Sequence, residues 1–340
     1  MIKYSVIVPT CHKDLTEMFL ENFAKINAPK DEYEVIIVHN AVKEDFTPVI
    51  EKYSSQIPNL QYVWEEQAGS TEARHTGVRI SNGEILCFTD DDCLVDKNWL
   101  VAIEKTFEDK EVVFAGGNIL PKFEETPPKW LEYYWVKNNV GKFMPELSFI
   151  DFGDKCMKIP TWFVFGANFI IRKETFLECG GFNPDIYPKE KWEFQGDAET
   201  GLSLKLNERG YVTHFNPEIK VEHVTPASRA SVEYFKKRGF FQGISDNYSK
   251  IREQAGLMPF KYKANENVDK SFVKKPFLLK RKFDKIVLPI FRKMSNKDYK
   301  AYLDVKHAYA TSRAEGKAFH EKAFKASPEL QDWVKKETYL

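Results

Sequence analysis

Three consecutive carboxylates, Asp90, Asp91 and Asp92, follow the short apolar run ILCF at residues 85–88. A run of this length and composition predicts a central strand that is buried on both faces. Adjacent carboxylates repel one another, so three of them at the carboxyl end of a strand favour a hard divalent cation that offsets their charge. A solvated turn or a helix cap is the alternative, and the aspartates alone do not decide between the two.

A second group of residues that could take part in a reaction lies more than a hundred positions later in the chain. Asp197 and Glu199 begin a predicted helix, where a carboxylate serves either as a proton acceptor or as a helix cap. His223 follows a predicted strand at residues 212–221. A neutral imidazole beside carboxylates is a reasonable further metal ligand, although a lone histidine is more often structural.

The elements that must position these groups alternate between strands and helices. Apolar runs predict strands at residues 4–9, 33–38, 60–65 and 112–117, and helical spacing predicts helices at residues 15–26, 46–54, 70–81 and 97–107. Such alternation implies parallel strands joined by right-handed crossovers, with helices on both faces of the sheet. Two longer helices are predicted near the end of the chain, at residues 231–248 and 299–324.

Two stretches resemble the signatures of family 2 glycosyltransferases. Residues 69–93, GSTEARHTGVRISNGEILCFTDDDC, resemble the family's Gly-x-x-x-Ala-Arg-Asn-x-Gly helix and the acidic strand that it leads into. Residues 162–184, WFVFGANFIIRKETFLECGGFNP, resemble its second signature, Gly-x-Asn followed by Gly-Gly-Phe. The chain departs from the family at His75, where Asn is usual, and at Thr89, where Leu is frequent. Neither departure removes an acidic group.

The resemblance covers residues 2–224 and implies an α/β fold of the GT-A (Rossmann-like) type. We expect a mixed, mostly parallel sheet with helices on both faces, followed by a helical C-terminal extension. Residues 1–225 would form the catalytic domain, with the nucleotide half at 1–95 and the acceptor and catalytic half at 96–225. Residues 226–340 would form a helical, basic region.

The same resemblance implies a metal-dependent, inverting transfer of a sugar from a nucleotide-diphosphate sugar, with a UDP-sugar favoured. It assigns Mn²⁺ or Mg²⁺ to Asp92, with Asp90 and His223 as further ligands. It gives the role of catalytic base to Glu199 or, in a different register, to Asp197. The residues that it places around the nucleotide-sugar are Pro9, Thr10, His39, Asn40, Gly69, Arg74, Asp90, Asp91 and Asn168. The family usually has Asp where this chain has His39 or Asn40, so the identity of the base stays open.

An aromatic-rich segment interrupts the regular pattern after residue 124. Aromatic side chains bury a large area and keep a polar edge, which suits stacking on sugar rings. We therefore consider an acceptor platform, for which the candidates are Trp130, Tyr134, Trp135 and Trp162. A satellite hydrophobic cluster beneath a long loop is the alternative.

Charge is distributed unevenly, although the formal net charge is +0. Residues 260–340 carry 20 Lys and Arg against 10 Asp and Glu, which leaves 30 against 40 for the preceding part of the chain. Residues 270–297 interleave basic and apolar side chains, a composition typical of a helix at an anionic membrane surface. Docking of this segment on the acidic front half is the alternative. Arg229 and Arg238 are candidates for closing over phosphate.

The five cysteines are irregularly spaced, which argues against a disulfide framework and favours a reducing compartment. Neither a signal peptide nor an apolar run of membrane-spanning length is recognisable. We expect a cytoplasmic enzyme, peripheral on the inner face of the cell membrane, that uses a glycan or lipid-linked acceptor and no nucleic acid. The building of surface polysaccharide of the bacterial type is the usual occupation of such enzymes.

Two other function classes remain compatible with the sequence. A nucleotidyltransferase also uses paired acids and a divalent cation, but it more often carries a Gly-rich, basic loop near its first strand, which residues 8–14 do not offer. A non-catalytic protein that binds sugar nucleotides is compatible with His39 in place of an acid.

Overall fold

The computed structural model describes residues 1–258, 265–273 and 297–340. Its first third alternates strands and helices as the apolar runs predict. The elements are β1 (Tyr4–Thr10), α1 (Lys13–Phe23), β2 (Tyr33–Asn40), α2 (Thr47–Ser54), β3 (Leu60–Glu65), α3 (Ser70–Ile80) and β4 (Ile85–Phe88).

The middle of the chain contains mostly short strands. After β5 (Cys93–Val95) and α4 (Trp99–Phe107) come β6 (Phe114–Gly116), β7 (Ile119–Phe123), β8 (Val136–Lys137), β9 (Lys142–Met144), β10 (Phe149–Asp151) and β11 (Met157–Ile159). They are followed by β12 (Phe169–Arg172), α5 (Lys173–Glu178), α6 (Glu199–Glu208), β13 (Thr213–Phe215) and β14 (Val221–Thr225). The single strand predicted at residues 212–221 is therefore two strands, which belong to different sheets.

The larger sheet has the strand order β11-β13-β6-β12-β4-β1-β2-β3. Strands β4, β1, β2 and β3 are parallel, whereas β12 runs antiparallel to both β4 and β6. The expected mixed α/β sheet of the GT-A type is confirmed. Strand β4 lies in the middle of this sheet. Its carboxyl end is therefore between β1 and β12, at the edge where open α/β sheets bind ligands.

Helices cover both faces of this sheet because successive strand residues point in opposite directions. Val6 and Val8 of β1 pack into one cluster with Phe19 and Phe23 of α1. Ile7 of the same strand packs on the other face, in a cluster with apolar residues of α3, α5 and α6. The near-continuous apolar runs of β1 and β2 reflect this double burial.

A second, smaller sheet has the strand order β5-β14-β7-β10-β9-β8. Strand β14 lies parallel to β7 and antiparallel to β5, and the β5 pairing brings His223 opposite Cys93. Strand β14 is in this way joined to the residues that follow the three aspartates.

The C-terminal part contains α7 (Val232–Gln254), α8 (Lys270–Val273), α9 (Lys297–Ala326) and α10 (Pro328–Val334). Helices α7 and α9 approach closely at glycines: a Cβ added to Gly243 would lie 2.0 Å from the Arg313 carbonyl oxygen, and one added to Gly316 would lie 1.9 Å from that of Phe240. In the described part of the chain, no helix has both the length and the apolar character to cross a membrane. Most of the predicted membrane-surface segment, residues 274–296, lies outside the described residues.

Candidate active site

The three aspartates leave β4 in different directions, and each one contacts a different element. Asp90 accepts a hydrogen bond from Arg74 of α3, with 2.7 Å between Oδ1 and Nη2. Asp91 is buried and accepts a hydrogen bond from the Thr10 hydroxyl, with 2.6 Å between Oδ2 and Oγ1. Burial and the neighbouring Asp92 raise the pKa of Asp91 to about 8. Asp91 is therefore a much weaker acid than an ordinary aspartate, and Thr10 holds it against the end of β1.

Asp92 faces the smaller sheet, where it meets His223 and Arg229. Its Oδ1 lies 3.3 Å from His223 Nε2, and its Oδ2 lies 2.7 Å from Arg229 Nη2. Burial alone would raise the pKa of Asp92, but the charge of Arg229 and its hydrogen bond to Asp92 favour the ionised carboxylate and lower that pKa. Asp92 is an ionised carboxylate at neutral pH.

His223 is oriented as a metal ligand would be. Its Nδ1 lies 3.1 Å from the carbonyl oxygen of Leu147, which can only accept a hydrogen bond, so the ring proton resides on Nδ1. Nε2 then carries a lone pair, and Arg229 Nη1 donates to it across 2.8 Å. A backbone carbonyl that fixes the tautomer of a histidine is the usual support of metal-binding imidazoles.

The donor set fits a divalent cation. Ligand atoms of Asp92, Cys93 and His223 all lie within 4.8 Å of one another. Burial and the nearby aspartates raise the pKa of Cys93 well above its usual value, so its thiol is neutral and a poor ligand for a hard ion. The carboxylate and the imidazole remain, and oxygen and nitrogen ligands suit Mn²⁺ and Mg²⁺. Asp90, the third expected ligand, is instead bonded to Arg74.

Arg74 links the acidic loop to the second half of the domain. The side chain is buried, and a Cβ added to Gly166 would lie 2.8 Å from its Nη2, so the Gly-x-Asn signature needs glycine here to admit the guanidinium. Burial opposes the charge of Arg74, but Asp90, Glu199 and Asp185 outweigh it and raise the pKa of Arg74. Arg74 thus stays a cation between two acidic regions.

Glu199 and Asp197, the two candidates for the base, lie in different environments. Glu199 is half-buried at the first position of α6, and its Oε1 lies 3.3 Å from the backbone nitrogen of Gly166. Asp197 is buried, and both of its oxygens accept short hydrogen bonds, from Asn183 at 2.7 Å and from Ser249 at 2.6 Å. Of the two, only Glu199 is partly exposed, whereas Asp197 is buried and bonded to two side chains of the protein.

Two asparagines that the sequence predicts to bind the nucleotide-sugar form hydrogen bonds within the protein. Asn40 donates to the carbonyl oxygens of Glu65 and Gln67 and accepts from the nitrogen of Gly69, which fixes the loop before α3. Asn168 accepts from the Trp99 indole and donates to the Ile219 carbonyl. Because both amides are used in these bonds, neither expected ligand role is supported.

His39 is buried among aromatic side chains at the end of β2. It follows Val38 in β2 and lies opposite Thr10, which comes directly after Pro9 in β1. Its Nδ1 is 2.8 Å from the Tyr62 hydroxyl, its ring packs on Phe46, and Nε2 is buried without a hydrogen-bond partner. Burial lowers the pKa of His39, so the ring is neutral.

The expected acceptor platform divides into two parts. Trp130 and Tyr134 are buried in a cluster with Phe235 of α7 and Val305 of α9, so the hydrophobic-cluster alternative is the correct one for these two residues. Trp135, stacked on Phe149, and Trp162, beside Phe163, are only partly buried.

The sequence did not predict the surroundings of two charged residues of the site, Arg229 and Asp185. Arg229, expected only over phosphate, lies on the metal-ligand candidates themselves. Asp185 precedes Ile186, a non-glycine residue with a φ of 53°. Burial and Glu199 raise the pKa of Asp185 to about 6. Nothing in the local pattern of either residue indicates these contacts, because they depend on long-range folding.

Comparisons with known proteins identify the family of the chain. The sequence model described as "Glycosyl transferase family 2" matches residues 5–180. A glucosyl-dolichyl phosphate glucuronosyltransferase of Haloferax volcanii is 23% identical over 253 residues, which cover 72% of this chain and 76% of that protein. Glycosyltransferase AglE of the same organism is 33% identical over 117 residues, which cover 34% of this chain and 38% of that protein.

Among solved structures, mannosyltransferase PcManGT of Pyrobaculum calidifontis, in complex with GDP-Man and Mn²⁺, is similar with a TM-score of 0.50 and 18% identity. The match covers 98% of this chain and 84% of that one. At this level of identity the likeness concerns the fold, and it extends over the C-terminal helices as well as the sheets.

Proposed function

Because the chain belongs to glycosyl transferase family 2 and is a glycosyltransferase, we propose that it transfers a sugar from a nucleotide-diphosphate sugar with inversion at the anomeric carbon. The observation that carries this proposal is the convergence at one sheet edge of Asp92 with His223, of Asp90 with Arg74, and of Glu199 with Gly166. The acceptor would be a hydroxyl of a glycan or of a lipid-linked sugar.

A divalent cation would be held by Asp92 Oδ1 and His223 Nε2, whose mutual distance is 3.3 Å. When bound there, such an ion supplies the positive charge that makes a nucleoside diphosphate a better leaving group. The hydrogen bond from His223 Nδ1 to Leu147 keeps the imidazole in the ligating tautomer. The third aspartate, Asp91, accepts a hydrogen bond from Thr10 and is not among the proposed ligands of the cation.

The two arginines of the site supply further charge for the diphosphate. Arg229 is 31% exposed in its side chain, so its guanidinium can turn from Asp92 towards a phosphate without crossing the core. Arg74 is buried and fixed by Asp90, which suits a group that orients the acidic loop. Arginine fits both tasks because its charge persists at every physiological pH.

Glu199 would act as the base. The acceptor oxygen forms a bond to the anomeric carbon while the bond from that carbon to the diphosphate oxygen breaks, and the hydroxyl proton passes to Glu199. One displacement of this kind inverts the anomeric configuration. Asp197 is unsuited to the role because Asn183 and Ser249 occupy both of its oxygens.

A UDP-sugar is the donor that we favour. His39 offers one buried nitrogen, Nε2, beside Thr10 at the end of β1 and β2, where the resembling family binds the base. One neutral group that either donates or accepts is sufficient for the edge of a pyrimidine. Trp135 and Trp162 remain as candidates for stacking on the acceptor.

A lipid-linked acceptor would be met at a membrane surface, and residues 270–297 are the proposed contact. This segment carries ten Lys and Arg against one acid, Asp284. Binding to anionic vesicles should decrease as salt is raised, because screening weakens each contribution of about 1 kcal/mol. Co-sedimentation of the whole chain with anionic and neutral vesicles measures it, and equal partitioning to both would contradict the proposal.

The decisive experiment measures release of nucleoside diphosphate from a panel of nucleotide sugars, with and without Mn²⁺. A glycosyltransferase releases the diphosphate, a nucleotidyltransferase releases pyrophosphate from a nucleoside triphosphate, and a binding protein releases neither. Glu199→Gln keeps the size and polarity of the side chain but cannot accept the proton, so turnover should fall by about 10² to 10⁴. If Asp197→Asn shows this loss with unchanged donor affinity and Glu199→Gln does not, the base is Asp197.

A further inference from the structure

The backbone that precedes Glu199 is held by the C-terminal region, beyond the residues that the family model matches. Ser245 and Ser249 lie one helical turn apart on α7 and face this backbone. Ser245 Oγ donates to the Gly196 carbonyl across 2.6 Å, and Ser249 Oγ donates to Asp197 Oδ2 across 2.6 Å. Trp333 of α10 donates through its indole nitrogen to the Phe194 carbonyl at 2.9 Å.

Packing leaves little freedom for this segment. A Cβ added to Gly196 would lie 2.9 Å from the Tyr248 ring, so α7 contacts the main chain directly. Asp197 Oδ1 accepts from Asn183, and the nitrogen of Asn183 in turn donates to the Ala198 carbonyl at 3.0 Å. Asp197 therefore joins α7 on one side to the Gly-Gly-Phe segment on the other.

The residue between Asp197 and Glu199 is strained. Ala198 has a φ of 48° and a ψ of −123°, a combination that glycine adopts freely and that side chains with a Cβ rarely adopt. Backbone strain of this kind persists only where surrounding contacts hold it, and it is concentrated at functional positions. Here the contacts that hold it come from α7 and Asn183, and the strained residue sets the direction in which α6 starts.

The last residues of the chain form hydrogen bonds with α7, the helix that contacts Gly196 and Asp197. The Tyr248 hydroxyl donates to that of Tyr339 at 2.9 Å, and Tyr339 donates to the Trp333 carbonyl at 2.6 Å. Arg252 is fully buried and donates to the carbonyl oxygens of Val334 and Lys336. These bonds attach the last residues of the chain to α7, the helix whose Ser249 contacts Asp197.

We propose that the C-terminal helices position the catalytic base, with Ser249 and Asp197 as positioning residues that hold Ala198 in its strained conformation. The proposal rests on the function of Glu199 given above. It assigns to Asp197 the orientation of its neighbour and to residues 232–340 a part in catalysis. Loss of the bond from Ser249 to Asp197 would let Ala198 relax and move the Glu199 carboxylate away from the acceptor.

The test compares Ser249→Ala with Glu199→Gln in the full chain. Ser249→Ala should lower kcat by about 10- to 100-fold, the cost of a displacement of about 1 Å, with KM for the donor unchanged. Ser81→Ala is the control, because it also removes a serine hydroxyl that donates within the protein, here to the Val78 carbonyl, and Ser81 makes none of the contacts between α7 and Asp197. It should keep the kcat of the unmodified chain.

A second variant separates positioning from stability. Ala198→Gly accepts the same φ and ψ without strain, so the double variant Ser249→Ala with Ala198→Gly should recover most of the lost kcat. Ser249→Thr, which keeps the hydroxyl, should retain activity. A merely structural role would lower the melting temperature without this pattern of loss and recovery in kcat.

The outcomes distinguish the two proposals. If Glu199→Gln loses turnover while folded Ser249→Ala keeps full kcat, the positioning role is wrong and the base assignment stands. Full turnover by Glu199→Gln would overturn the base assignment and, with it, the positioning role.

Discussion

Arg229 donates to both proposed ligands of the divalent cation, Asp92 and His223, and replacing it with methionine measures whether the guanidinium and the cation compete for them. Its guanidinium donates to Asp92 Oδ2 at 2.7 Å and to His223 Nε2 at 2.8 Å, so both candidate ligands are engaged. A cation can bind them only if Arg229 leaves. Methionine has a comparable length and no charge, and it would leave Asp92 and His223 free for the ion.

The size of the effect follows from the contact between Arg229 and Asp92. A hydrogen bond to a charged group contributes about 1.5–3 kcal/mol, and 1.4 kcal/mol corresponds to a tenfold change in affinity. Without donor, Arg229→Met should therefore bind Mn²⁺ about 10- to 100-fold more tightly than the unmodified chain.

Electron paramagnetic resonance of Mn²⁺, titrated in the absence of nucleotide, measures this affinity directly. Arg209→Met is the control, since Arg209 pairs with Glu178 on the surface and contacts no metal ligand. The same variant should bind the donor more weakly, because a cation for the diphosphate is lost. Unchanged or weaker Mn²⁺ binding by donor-free Arg229→Met would refute the competition.

Three further predictions concern the site and its supports. Asp92→Asn should abolish metal-dependent turnover and leave the far-ultraviolet circular dichroism unchanged; full activity, or indifference to a strong chelator, would contradict the metal mechanism. His75→Asn should reduce the acid sensitivity of the fold. Burial lowers the pKa of His75 from 6.5 to about 4, so the folded state resists protonation of this ring. The corresponding part of the free energy of unfolding, about 3 kcal/mol, is present above pH 6.5 and is lost as pH falls towards 4. Melting temperatures at pH 7.5 and 5 test this, and an unchanged difference between them would count against it. Gly316→Ala should destabilise the chain by at least about 1–3 kcal/mol in urea unfolding, because its Cβ would lie 1.9 Å from the Phe240 carbonyl oxygen; unaltered stability would mean that α7 and α9 separate readily.

The sequence predicted the first half of the larger sheet well because its signals are local. Strands β1, β2 and β3 are apolar runs bounded by turns, and the structure places them within one or two residues of the expected limits. The smaller sheet was not predicted. Its strands are two to five residues long, too short for a periodic pattern, and β14 pairs with β5 and β7, which lie about a hundred or more positions earlier in the chain.

The same distinction explains the site residues. The aspartates and His223 carry chemistry in their residue types, so a pattern could identify them. Asn40 and Asn168 carry the same kind of polar group, but whether an amide binds a ligand or a backbone carbonyl depends on the carbonyls that folding brings near. His75 is the clearest case: its Nδ1 contacts the carbonyl of Tyr339, 264 positions away, and its Nε2 accepts from the nitrogen of Phe182.

The register of β14 on β5 decides which residue of β14 faces Asp92. Val221 pairs with Val95 and His223 pairs with Cys93, so His223 points inward to Asp92 while Glu222 points outward to Lys122. A slip of one residue would exchange the two faces of β14 and present Glu222 or Val224 to Asp92. The buried valines on either side of this short strand oppose such a slip, because it would expose apolar side chains and bury a carboxylate next to another. The apolar residues of the smaller sheet therefore select histidine as the partner of Asp92, although none of them touches a substrate.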